Sequence, residues 1–131
     1  MKKGYGLVVF TFLVGCAAPK PESLQLVDMP VLQLRTIQSQ QFKQQNNFIA
    51  MQAVVKTLSI LNFQITRIDE SLGLIEAIQL EKNHITQVEV LVRKDKGNGI
   101  KVRINIRADQ KVVTNSQVYQ RFFESLSKTL E

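Results

Sequence analysis

The clearest pattern in the chain runs from Ile100 to Ala108. Ile100, Val102, Ile104, Ile106 and Ala108 alternate with Lys101, Arg103, Asn105 and Arg107. A period of two predicts a strand with one buried face and one wet face, which places it in an antiparallel sheet. Ile85 to Arg93 repeats the pattern, with Val88, Val90 and Val92 inward and Gln87, Glu89 and Arg93 outward. Between them, Lys94 to Gly99 (KDKGNG) has the glycine and Asn/Asp content of a hairpin turn. Phe63 to Ile68 and Leu72 to Leu80 read as two more strands, joined by the polar turn Asp69-Glu70-Ser71. Glu81-Lys82-Asn83 is the next turn and carries His84, the only histidine, just beyond it.

Two segments carry the helical period instead. Over about Gln41 to Leu61, Phe48, Met51, Val54, Val55, Leu58 and Leu61 form one apolar stripe. Asn62 follows where a left-handed cap is wanted. From about Ser116 to Leu130, Tyr119, Phe122, Phe123, Leu126 and Leu130 share a face, with Asn115 or Ser116 as N-cap. Val31 to Ile37 (VLQLRTI) is predicted as a first strand. The order is then β-α-β-β-β-β-α. The predicted fold is α+β: a two-layer sandwich in which an antiparallel sheet of four to five strands carries two helices on one face. The wet face would hold Lys101, Arg103 and Arg107, with Glu89 and Arg93 on the neighbouring strand as partners for cross-strand ion pairs.

The first 30 residues follow a different logic. Met1-Lys2-Lys3 is a short positive start, and Leu7 to Val14 is an apolar run. That run suits a signal peptide and falls short of the roughly 18–20 residues a membrane-spanning helix needs. Leu13-Val14-Gly15-Cys16 then matches the bacterial lipobox. In such a site the Cys16 thiol accepts diacylglycerol, small Gly15 lets the peptidase reach the Gly15–Cys16 bond, and the freed amino group takes a further acyl chain such as palmitate. Two or three chains anchor firmly, at about 0.8 kcal/mol per buried methylene. Ala17, in place of the Asp that retains such proteins at the inner membrane, favours the periplasmic face of the outer membrane. Residues 17–30 hold all three prolines and read as a tether reaching about 45 Å at roughly 3.3 Å per residue. The expected organisation is a signal peptide over 1–15, lipidated cysteine and tether over 16–30, and one α+β domain over 31–131.

Composition narrows the chemistry. The chain has 131 residues and a net charge of +6; loss of Lys2 and Lys3 leaves 15 basic against 11 acidic residues, about +4. One cysteine excludes an intramolecular disulfide, and with one histidine it excludes a Cys/His metal cluster. No glycine-rich phosphate loop or serine triad is evident, and Asp69-Glu70 reads as a solvated hairpin tip. The expectation is a non-enzymatic protein with no cofactor and no resident metal. Nucleic acid is a poor partner for an exported chain without an aromatic-rich basic motif.

Three segments together resemble a group of small uncharacterised lipoproteins of Gram-negative bacteria. They are Leu34-Arg35-Thr36-Ile37-Gln38, matching an LR-x-IQ strand; the hairpin from Leu61 to Ala77; and Tyr119-Gln120-Arg121-Phe122-Phe123 through Leu126-Ser127-Lys128, matching a terminal Y-x-x-FF-x-x-LSK helix. Asn62 stands where glycine is usual, and only Glu81 to Thr86 occupies the place of a longer glycine-rich insert. The resemblance implies the anchoring and the fold, and no activity.

Two functions are expected from these readings. The first is an accessory or assembly subunit that binds another envelope protein, held to the membrane through the acyl groups on Cys16. The alternative is a periplasmic ligand-binding module. It would recognise lipid or anionic cell-wall polymer through a groove between helices and sheet, or through a cationic face at Lys101, Arg103 and Arg107.

Overall fold

The computed structural model describes residues 31–44 and 46–131. The expected signal peptide and tether, with Gly15 and Cys16, lie outside them. The described chain is an α+β fold. In order it forms α1 (Val31–Ile37), β1 (Ser39–Phe42), α2 (Asn47–Ile60), β2 (Gln64–Asp69), β3 (Leu74–Glu81), β4 (His84–Lys94), β5 (Ile100–Ala108), β6 (Lys111–Val112) and α3 (Ser116–Leu130). The sheet is antiparallel and open, in the order β1-β5-β4-β3-β2, with β6 also beside β5.

One face of the sheet makes the core. Val88, Val90 and Val92 of β4 and Ile100, Val102, Ile104 and Ile106 of β5 are buried against Val54 and Leu58 of α2 and Tyr119, Phe122, Phe123 and Leu126 of α3. The alternation along β4 and β5 thus does what its period dictates. The two long helices are linked side to side by the buried Thr57 hydroxyl, which donates to Thr129 Oγ1 at 3.2 Å. Tyr119, wholly buried, donates its hydroxyl to the Val113 carbonyl at 2.5 Å and so ties α3 to the chain leading into it. Burial pushes the Tyr119 phenol above its usual pKa.

Helix ends follow from local chemistry. Asn46 Oδ1 accepts from the N–H groups of Phe48 and Ile49, so α2 starts there and not at Gln41. Phe48, expected on the buried stripe, is 54% exposed; Ala50 and Ala53 fill the buried face instead. At the other end Asn62 takes φ 71°, Phe63 N–H donates to Leu58 O and Asn62 N–H to Ser59 O. This pair of bonds is a Schellman motif with asparagine in the left-handed position. Asn115 caps α3 through the Gln117 N–H.

The predicted first strand is corrected. Val31 to Ile37 is a helix, in which Leu34 and Ile37, three residues apart, pack on the core edge. The Gln38 N–H donates to Leu34 O, and the Thr36 hydroxyl to Leu32 O. The first strand is the next segment, Ser39–Phe42, paired with β5 from Arg103 to Ile100. Gly99, at φ 117°, lets the end of β1 close on β5, because a Cβ there would lie 2.2 Å from the Phe42 carbonyl oxygen.

Candidate functional site: a cationic cleft on the outer sheet face

The second face of the sheet points away from α2 and α3. On β5 it carries Lys101, Arg103, Asn105 and Arg107; on β4 it carries Arg93, Leu91, Glu89 and Gln87. The register decides which of these meet. Arg93 stands opposite Lys101, and Leu91 opposite Arg103. On the other side of β5, Gln41 and Ser39 of β1 stand opposite the same two cations. Helix α1 runs beside β1 and turns Leu32, Arg35 and Thr36 toward this corner. The result is an open cleft of about 740 Å³ with Arg35, Arg93, Lys101 and Arg103 in its walls. Ser39, Gln40, Gln41 and Thr36 add neutral hydrogen-bonding groups, and among the described residues no carboxylate lines it.

Like charges directly opposite on neighbouring strands destabilise a sheet. The expected cross-strand ion pairs do not form: among the described residues the ion pairs are Arg67–Asp69 at 3.5 Å and His84–Asp109 at 2.7 Å. Glu89 faces Asn105 on one side and Glu76 on the other. The expected trio of Lys101, Arg103 and Arg107 is therefore divided. Arg107 lies four residues beyond Arg103, about 13 Å along the strand. It lines a separate depression of about 250 Å³ that also holds Glu76 and Glu89. Arg35 and Arg93 take its place in the cleft. Arg93 was legible as an outward residue of the neighbouring strand. Arg35 was not, because its segment has a different backbone from the one its pattern suggested.

The groove between helices and sheet is also present. It measures about 320 Å³ and is lined mainly by apolar side chains, among them Leu61, Phe63, Val118 and Phe122, with Arg121 also in its lining.

His84 opens β4 and is exposed. Its Nδ1 lies 2.7 Å from Asp109 Oδ2, while Asp109 Oδ1 accepts from the Ile85 N–H at 3.1 Å. The His84 hydrogen bond, then the Ile85 N–H, hold the Asp109 carboxyl below its usual pKa. Among the described residues no cluster of three or more His, Cys, Asp or Glu residues could hold a metal. The pair clips two neighbouring turns together, a contact that only the sheet topology creates. Among the described residues no helix is long and apolar enough to cross a membrane.

No family model matches the chain, and no curated protein is significantly similar to it in sequence.

Proposed function

We propose that this chain is a non-enzymatic lipoprotein of the bacterial envelope. It is anchored by acyl groups on Cys16, on the periplasmic face of the outer membrane, and it binds anionic envelope material, lipid or cell-wall polymer, through the cleft. The observation that carries the ligand is the set Arg35, Arg93, Lys101 and Arg103 around one cleft that, among the described residues, no carboxylate lines. Arginine forks suit phosphate and carboxylate groups bidentately. An incoming anion would also relieve the repulsion between Arg93 and Lys101. The experiment is calorimetric titration of the acylated protein in detergent with inorganic polyphosphate. Wild type should bind with an affinity that falls as salt rises, and Arg93→Gln/Arg103→Gln should weaken binding more than tenfold. Equal binding by both proteins, or none by either, would refute the cleft as the site.

A second reading, the accessory subunit that docks on another envelope protein, is favoured by a different surface. Phe48 and Ile68 are half exposed side by side with Met51 and Val55, and such an apolar patch is what a protein partner covers. Crosslinking of the native lipoprotein should then recover a defined envelope complex through Phe48; recovery of nothing above background would remove this reading.

A further inference from the structure

The cleft has a position as well as a charge. Its α1 wall is the first described element, so the chain reaches the cleft directly from the segment that leads back to Cys16. Leu32, 77% exposed, lines the cleft beside Arg35, and Val31 next to it is 60% exposed. A bare leucine in a cleft that Arg35, Arg93, Lys101 and Arg103 also line is a poor surface for water and a good one for a lipid interface, where apolar groups enter the acyl boundary and cations meet phosphates. The other half of the outer face is mixed: Glu76 is directly opposed to Glu89, but Arg67 stands opposite Glu76 and Arg107 lines the same depression. An anionic surface would favour the cleft end, where four cations line one cleft, over the mixed middle of the sheet.

From this placement we infer that the occupant of the cleft is the phosphate-bearing surface of the membrane itself. The domain docks face down, with Leu32 in the interface and Arg35, Arg93, Lys101 and Arg103 on lipid phosphates. This rests on the anion-binding reading and narrows it to one partner. Each cation near an anionic leaflet raises affinity about fivefold. The 14 residues between Cys16 and Val31 span at most about 45 Å, and a link of that length holds the domain at millimolar effective concentration. Weak intrinsic affinity therefore suffices, and the anchor and the cleft act as one bivalent attachment. The domain would lie against the bilayer and present its helical face to the periplasm.

The chain contains no tryptophan, so a single one is a clean reporter. Acylated full-length protein carrying Leu32→Trp is reconstituted into phosphatidylglycerol-rich vesicles and, separately, into phosphatidylcholine vesicles. A second protein carries Leu80→Trp, at the exposed far end of the outer face. In anionic vesicles the emission of the Leu32→Trp protein should shift to the blue and be quenched by bromine-labelled acyl chains. Both effects should vanish at about 1 M salt, where the screening length is about 3 Å. They should vanish also when Arg93→Gln/Arg103→Gln is added, and the Leu80→Trp protein should show neither. Identical emission of the Leu32→Trp protein in the two vesicle types, or equal quenching at both reporters, would overturn the inference. If polyphosphate still binds through Arg93 and Arg103 while the vesicle signal is absent, membrane docking is wrong and the anion-binding reading stands. If both are absent, both readings fall.

Discussion

Arg93 and Lys101 occupy directly opposed positions on β4 and β5, with their side chains on the same face of the sheet. Two cations in that relation cost stability, and among the described residues nothing acidic in the cleft offsets them. Lys101→Glu should convert the pair into an attractive one. The expected gain is up to about 1 kcal/mol at low salt, seen as a rise in melting temperature of roughly 4–8 °C for a domain of this size. The same variant should lose anion binding. A protein that is more stable and less able to bind is the signature of a site maintained at a cost; an unchanged melting temperature would mean the repulsion is already relieved by solvent.

The His84–Asp109 clip gives a pH dependence with a definite sign. The Asp109 carboxyl titrates below its usual value of 3.8 in the folded protein. A depressed folded pKa contributes stability that is present above the unfolded value and is lost as pH falls through the folded one. The melting temperature of wild type should therefore exceed that of Asp109→Asn at pH 5. The difference should shrink steadily below pH 3.8. Asp69 is depressed in the same direction through Ser71 and the Leu72 N–H, so only the difference between the two proteins isolates Asp109. A difference that grows on acidification would show that the clip is not what sets it.

Gly73 is required by two independent facts. It sits at φ 68°, and a Cβ on it would lie 2.3 Å from the Val92 carbonyl oxygen. Its own carbonyl accepts from the Val92 N–H at 2.8 Å, so the turn before β3 is fastened to β4 next to Arg93. Gly73→Ala should destabilise by roughly 2–4 kcal/mol, from the left-handed backbone and the displaced strand together. Chemical denaturation would measure it, and a loss below about 0.5 kcal/mol would mean the turn relaxes freely.

How much of this was legible varies with how local the cause is. β4, β5 and α3 carry their period in their own side chains, and the capping asparagines Asn62 and Asn115 announce helix ends through their own chemistry. Val31 to Ile37 fits two periods at once. Leu34 and Ile37 satisfy a helix, while Leu32, Leu34 and Thr36 mimic one face of a strand, and seven residues are too few to decide. Ser39–Phe42 has almost no apolar signal; it is a strand because β5 offers it a partner. For the candidate site, Lys101 and Arg103 were readable from β5 alone. Their separation from Arg107 was not, because a strand's pattern names a face and leaves its neighbours unstated. Glu76 and Glu89 beside Arg107, and Arg35 beside Arg103, come from register and from the placement of α1.

The proposed lipid anchor makes its own prediction. Cys16→Ser removes the only thiol that can accept diacylglycerol. The variant should remain unprocessed or leave the membrane fraction on salt washing, since the proposed cleft contact alone would hold weakly and electrostatically. A Cys16→Ser protein that is still processed and stays membrane-bound through the wash would contradict the anchoring.

The central claim is that a particular cleft, and not the general positive charge of the domain, recognises anions. Arg103 and Arg107 test it most directly, because they lie on the same strand and face and differ only in what surrounds them. Polyphosphate affinity should be measured for Arg103→Gln and Arg107→Gln side by side at one salt concentration. The account predicts a loss of about tenfold for Arg103→Gln, the worth of one charge-assisted hydrogen bond, and a change within about twofold for Arg107→Gln, the size of a screened surface charge. Equal losses from the two substitutions would contradict it.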